Sequence, residues 1–411
     1  ARCWAFVLAG AADERLAVCV EAVRDSGAGD VVLRMSAVQC LVALSVAGSA
    51  WPAELGLEAT RRAFDLAAHL EDAAHVQAAI DAGRFFAQRA LQGLNAAQGT
   101  DAERCAVAAA VFQAVPQLLE RAAAASAPPA VYAAILRAAK TALVAGRSSP
   151  EATQLCVGLV SAFGDAGRDA ELCCGQPAAE LWLEVLQSAE AADAPLLALV
   201  PLLAPLVEAP RDLELGRHVA ALACAYAALG APGALRCLAP LVAQVSARAN
   251  RDVDRALEMA LIANPDAARA LVDSPQLLRA LAASSCEVSR TPDATIAQHL
   301  AVLARMLLLE PAGLEAALGD DAFWAVVELL LRGKGCRADG GASCYDAGDE
   351  DADESLVAHR AKVGALALLA VVASGSALAR LDDVLARAAD AVRLCAAAQH
   401  RGFAGGAAAH L

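Results

Sequence analysis

The sequence predicts an all-α fold, an α-solenoid of HEAT- or armadillo-like helix pairs wound as a right-handed superhelix. Three observations lead there. Hydrophobic residues fill 58% of the 411 positions and aromatics only 4%, so the core must be built from Ala, Leu and Val. Ala and Leu are strong helix formers, whereas the strand-forming aromatic residues are sparse. Apolar residues also recur at steps of three and four, the period of one buried helix face. Finally, Pro, Gly, Asp and Ser punctuation cuts the chain into short amphipathic segments that group in pairs of roughly 35 to 45 residues, near the HEAT and armadillo period. A chain of this length has ample apolar surface to bury, either in two or three globular domains or in one repeat array. The alternatives with the same composition are a globular helical bundle and an α/α toroid.

Taken in order, the first segment is residues 1–125, where the pairs are loosest. Val31, Met35, Val38 and Val42 form one stripe there. Residues 126–331 form the central repeats, with pairs expected at 129–164, 170–208, 211–247, 251–285 and 292–333. Their starts carry proline in the first turn, at Pro128-Pro129, Pro150, Pro265, Pro275, Pro292 and Pro311, where the missing N–H costs nothing. Within this part Leu215, Val219, Leu222, Tyr226 and Leu229 form a second stripe. Residues 332–353 break the texture: glycines and charges with almost no apolar residue read as a long, mobile, acidic loop. A last pair is expected at 354–398, on the stripe Leu378, Leu381, Leu385, Ala388, Val392 and Cys395, followed by a disordered tail at 399–411. The recurrence is one of spacing and pattern, with no literal repeat.

Composition excludes several classes. The balance of 33 basic and 47 acidic residues, net −14, argues against direct nucleic-acid binding and favours basic partners. The longest uncharged stretch, Met35 to Ala53, is interrupted by Ser36, Gln39, Ser45, Gly48, Ser49 and Pro52, too polar for the roughly 20 apolar residues of a membrane span. The chain opens within a helical pattern at Ala1-Arg2-Cys3-Trp4, without a basic region or cleavage pattern, and reads as a segment of something longer with no signal peptide. Thirteen cysteines, among them Cys40, Cys105, Cys156, Cys224 and Cys395, sit in apolar helical stretches without a disulfide framework. Buried free thiols and a reducing compartment are expected.

No motif of catalysis or cofactor binding emerges, and no cofactor, metal or catalytic residue is expected. Asp346, Asp349, Glu350, Asp351, Asp353 and Glu354 crowd one loop, but counting from Asp349 there is no Gly at the sixth position and no Glu at the twelfth, as a calcium loop requires. They read as a solvated acidic loop, with contact to a basic protein as the functional alternative. Cys336 and Cys344 lack the C-x2-4-C spacing of a structural zinc site, as does Cys173-Cys174. Gly333-Lys334-Gly335 lacks the rest of a phosphate loop, and Gly375-Ser376 the flanks of a nucleophile elbow. His69, His75, His218, His299 and His359 are scattered and read as helix-surface or capped residues. Trp182 and Trp324 read as core residues, with peptide anchoring as the alternative.

The helix Ala179-Glu180-Leu181-Trp182-Leu183-Glu184-Val185-Leu186 is followed by Ala204-Pro205-Leu206-Val207-Glu208, then Asn264-Pro265 at a helix end, then Lys362-Val363-Gly364-Ala365-Leu366-Ala367-Leu368-Leu369. In order and spacing this resembles the C-terminal half of importin-β-family nuclear transport receptors (karyopherins), specifically the importin-eleven branch. Glu180, Leu181, Trp182, Leu183, Lys362, Leu366 and Leu369 are the residues that carry the likeness, each in a helix-packing role. The resemblance implies a non-catalytic receptor segment that binds protein cargo, basic cargo in view of the charge, while shuttling between nucleus and cytoplasm. It further implies the small GTPase Ran as a partner through upstream repeats, which are not in this chain, and nucleoporins as further partners. The reading from another class is a HEAT scaffold or assembly subunit unrelated to transport.

Overall fold

The computed structural model describes residues 31–46, 53–146, 150–164, 175–208, 213–238, 247–273, 275–286, 293–331 and 354–373, together with 382, 385, 386, 389, 392 and 393. The expected loop at 332–353 and the tail at 399–411 lie outside them. The described residues are helical with no strand, and the fold is the expected all-α stack of helix pairs. By their contacts the residues divide into two units, 1–190 with 194–205, and 191–193 with 206–411.

In the first unit the long helices are α1 (Val31–Val46), α2 (Ala53–His69), α3 (Ala73–Ala96), α4 (Asp101–Ala124), α5 (Pro129–Ala145), α6 (Pro150–Phe163) and α7 (Gly175–Ser188). They alternate between two layers. α1, α3, α5 and α7 pack side by side in one; α2, α4 and α6 lie on the other, each against the helix that follows it. Short α8 (Ala194–Leu197), a 3-10 turn at Val200–Leu202 and α9 (Leu203–Glu208) come next. Local chemistry sets the boundaries. Asp72 caps α3 by accepting from the His75 N–H at 3.0 Å, and α5 and α6 begin at Pro129 and Pro150. Thr100 and Glu103 form a reciprocal capping box at α4. The Thr100 N–H donates to Glu103 Oε2 at 2.7 Å, and the Glu103 N–H to Thr100 Oγ1 at 3.3 Å. These bonds, the backbone one foremost, hold the Glu103 carboxyl below the ordinary glutamate range.

The small-residue composition expresses itself as close approach. A Cβ on Gly56 of α2 would lie 2.8 Å from Ala90 Cβ and 3.0 Å from its Cα on α3. Around this crossing Ala59, Ala63, Ala67, Ala79, Ala87 and Ala90 are buried. Such packing works because every methyl-sized side chain meets a partner with no void between them.

The second unit holds α10 (Leu213–Ala228), a 3-10 segment at Pro232–Leu238, α11 (Ala247–Ala263), α12 (Asp266–Val272), α13 (Pro275–Cys286), α14 (Asp293–Leu309), α15 (Pro311–Leu318), α16 (Asp320–Leu331) and α17 (Glu354–Ala373). Its long helices α10, α11, α14 and α17 stack in one layer, and the short ones form the other. The paired pattern therefore changes here: the second member of a pair is broken in two. Between α15 and α16 the break is Gly319, whose φ of 78° lies in the left-handed region that glycine occupies without strain. Pro275, which has no N–H to donate, opens α13 directly after the other break. Asn264 fastens the end of α11, donating from Nδ2 to Ala227 O at 2.8 Å and accepting from the Asp266 N–H at 3.0 Å.

The contact of α11 with α14 is polar at its centre. His299 Nδ1 and Asp254 Oδ2 meet at 2.6 Å with both side chains essentially inaccessible (0% and 1%). The pair falls outside hydrogen-bond angles, and His299 Nε2 finds no hydrogen-bond partner among the described residues. A turn along α11, Arg305 Nε donates to Glu258 Oε1 at 3.1 Å, also largely buried. His299 is thus a core residue and not the surface or capped histidine its isolation in sequence suggests, because its partner comes from another helix.

Two of the three stripes behave as expected: Met35 and Val38 are buried, as are Val219, Leu222 and Tyr226. The C-terminal one differs. Its described members Leu385 and Val392 are 50% and 69% exposed, and the other members of the stripe lie outside the described residues.

Candidate functional site

The residues that carry the family likeness are mostly walls of the stack. On α7, Leu181 and Trp182 are fully buried and Leu183 is half-buried. Glu180 is a cross-link between helices, accepting from Lys140 Nζ of α5 at 2.9 Å and from Gln176 Nε2 at 2.9 Å. Trp182 is therefore core and not an exposed anchor. Trp324 is only half-buried, edge-on to Phe323 with ring centroids 5.5 Å apart. On α17, Lys362 and Leu366 are exposed and Leu369 is half-buried, beside buried Val363, Ala367 and Leu368. Asp346, Asp349, Glu350, Asp351 and Asp353 lie outside the described residues, as does the side chain of Glu354.

The concave feature that the helices do build lies in the first unit, on the side of α4 that faces α6. On its other side α4 packs against α2, where Arg121 Nη2 donates to Leu70 O at 3.1 Å beside a smaller cavity of about 350 Å³ lined by Leu70, Val76, Leu118 and Arg121, among others. Towards α6 the layer opens, and α4 and α6 make almost no direct contact. Two cavities fill the gap. One, of about 670 Å³, is lined by Leu119 and Ala123 of α4, Tyr132 of α5, and Leu155, Gly158 and Phe163 of α6, among others. The other, of about 430 Å³, is lined by Cys105, Ala109 and Phe112 of α4 and by Glu151 and Leu155 of α6. Glu151 and Leu155 belong to both, so the two are lobes of one groove. On α4 the lining residues Cys105, Ala109, Phe112, Leu119 and Ala123 follow one helical stripe. Among the described residues that line the two lobes there is no Lys or Arg, and Glu151 is the charged one. At the floor, the Tyr132 and Phe163 rings meet at 5.2 Å. Gly158 faces the opening, and a Cβ there would meet nothing within 4 Å.

This groove was not read from the sequence. Its stripe has the pattern of a buried face, and only the missing neighbour makes it a site.

The reactive groups are quiet. Cys156, Cys224 and Cys237 have thiols pushed up to about 12 by burial, and the neighbouring Cys237 adds to the effect on Cys224. Thiols so protonated are poor nucleophiles. Cys105, expected to be buried, is exposed at the groove, on the face of α4 that α6 leaves open. Among the described residues no group of three His, Cys, Asp or Glu side chains is placed to hold a metal ion. No described helix is long and apolar enough to cross a membrane.

Comparison with known proteins adds one observation. Residues 133–322 match the family described as importin-11-like, TPR repeats. That stretch runs from within α5 to the start of α16 and contains the Glu180–Leu186 helix and Asn264-Pro265. It supports an importin-like helical repeat protein. A search of curated proteins finds no significant match. Among solved structures, the crystal structure of an engineered protein is 18% identical, with a TM-score of 0.41, covering 92% of this chain and 98% of that one.

Proposed function

We propose that the chain is a non-catalytic segment of a nuclear transport receptor, binding protein cargo on its stacked helices. The observation that carries this reading is the importin-11-like match over residues 133–322. The physical argument is consistent with it. Stacked helix layers touch only their neighbours, so small changes at each contact add up along the array and let it adapt to large partners. A net charge of −14 draws basic cargo by long-range attraction. Asp346, Asp349, Glu350, Asp351, Asp353 and Glu354 are the proposed points of cargo contact. Ran and nucleoporins are the further partners this reading brings, with Ran assigned to no residue of this chain, and the location is nucleus and cytoplasm.

Two measurements test it. Basic nuclear proteins held by the immobilised chain should elute between low and moderate salt, where screening shortens the reach of surface charges; retention that ignores salt counts against electrostatic capture. Precipitation of the endogenous protein with Ran locked in its GTP state separates a receptor from a repeat scaffold of unrelated assembly, which would not bring Ran down.

A further inference from the structure

We propose that the cavity where the α2–α3 and α4–α5 hairpins meet binds a free α-amino acid with an apolar side chain, its ammonium at Glu71, its carboxylate at Arg121 and its side chain in the apolar interior. The inference stands apart from the transport reading, since it rests on the packing of four helices of the first unit alone.

Two neighbouring hairpins build the site. The first gives it Leu70, Glu71 and Val76, and the second Leu118, Arg121 and Val131. The whole lining falls within residues 53–146, which the structure describes without a break. Its volume of about 350 Å³ is that of a small-ligand pocket, at the lower end of the usual range. Leu70, Leu118 and Val131 are buried, so the interior is apolar and favours an aliphatic group that leaves water.

The two charged lining residues select the ligand. Arg121 is steered by the bond from its Nη2 to Leu70 O, which occupies one of the five N–H donors of a guanidinium. Glu71, in the loop between α2 and α3, is exposed and pairs with neither Arg121 nor any other described residue. A neutral apolar molecule would fill the interior and leave both charges to water. A simple carboxylate would meet Arg121 but bring a like charge beside Glu71. An α-amino acid satisfies both at once, because its ammonium and carboxylate sit on one carbon. A hydrogen bond of about 2.9 Å on either side lets such a molecule bridge two charges that stand too far apart to pair, and bonds between charged groups are the stronger class.

The test separates the three recognised parts. Tritiated leucine is offered to the full chain in equilibrium dialysis, with leucine, N-acetyl-leucine, leucinamide and glycine as unlabelled competitors. The last three lack, in turn, the ammonium, the carboxylate and the apolar side chain. Leucine should compete better than each of them by about tenfold or more, the effect of losing one hydrogen bond to a charged group or the buried side chain. Glu71→Gln, an exposed change that should leave the melting temperature level, should abolish the preference for leucine over N-acetyl-leucine and keep that over leucinamide. Arg121→Gln should do the reverse, and Arg121→Lys should restore part of the binding. Equal competition by leucine and N-acetyl-leucine overturns the proposal, as does a Glu71→Gln chain that discriminates between them like the parent. So does the absence of saturable leucine binding at millimolar concentration, or glycine that competes as well as leucine, which would reduce the site to two surface charges.

Discussion

Replacing Asp254 by Leu while leaving His299 in place should destabilise the second unit by about 1–3 kcal/mol, because it leaves a buried imidazole without its polar neighbour in an apolar contact. The expectation follows from burial: with both side chains essentially inaccessible and 2.6 Å apart, water can replace neither partner. Removing both, as Asp254→Leu with His299→Leu, takes away the requirement for pairing and should cost far less than the two single changes together, because apolar residues of similar volume leave no buried polar group without a partner. In urea, with a slope of about 2 kcal/mol per molar, the single variants should unfold about 0.5–1.5 M earlier than the parent. The assay is a double-mutant cycle on denaturation midpoints, read by a probe in the second unit. Additive losses would refute the reasoning, since they would mean the two side chains do not interact across α11 and α14. Glu258 and Arg305, one turn away, are a built-in comparison. They retain 10% and 14% exposure, so breaking that pair should cost less.

Gly56→Val pushes a branched side chain against Ala90, where even a Cβ is too close, and should cost about 1–3 kcal/mol in thermal or chemical unfolding; an unchanged melting temperature would show that α2 and α3 can move apart freely. Thr100→Ala should cost about 1 kcal/mol by removing the cap of α4. The Glu103 side of that box has a sign in pH. Its folded-state pKa is lowered, so its contribution is present above the unfolded-state value and is lost as pH falls through the folded one. Protection of amides at the start of α4, taken relative to their intrinsic exchange rates, should fall only in acid, and protection that stays level through that range would remove Glu103 from the cap. A thiol reagent at neutral pH should modify Cys105 and spare Cys156, Cys224 and Cys237 until the chain unfolds; rapid labelling of those three in the native chain would show that their helices open readily.

The helix pairs were legible because their signals are local. Pro129 and Pro150 start helices where proline is harmless, and Val219, Leu222 and Tyr226 mark a buried face by spacing alone. What depends on distant neighbours was not legible. Leu385 and Val392 have the spacing of a core stripe, yet a stripe becomes a core only when something covers it. The same fact hid the groove: Cys105, Phe112 and Leu119 look like any buried face until α6 is found standing off from α4. His299 and Asp254 are 45 positions apart, and no helical period links them. The broken second members in the second unit were half visible. Pro275 marks a helix start and Gly319 before Asp320-Asp321 a helix stop, but nothing local shows that both breaks fall within the second member of a pair.

The scarcity of aromatic residues, noted above only as a reason for helices, also makes the chain its own reporter. Of its four tryptophans, Trp4 and Trp51 lie outside the described residues, Trp182 is sealed in the first unit and Trp324 is partly open in the second. With Phe in place of Trp4 and Trp51, the emission would hold two components, a blue one from the sealed indole and a redder, more readily quenched one from the other. Following both through a denaturant titration would tell whether the two halves lose structure in one step or in two.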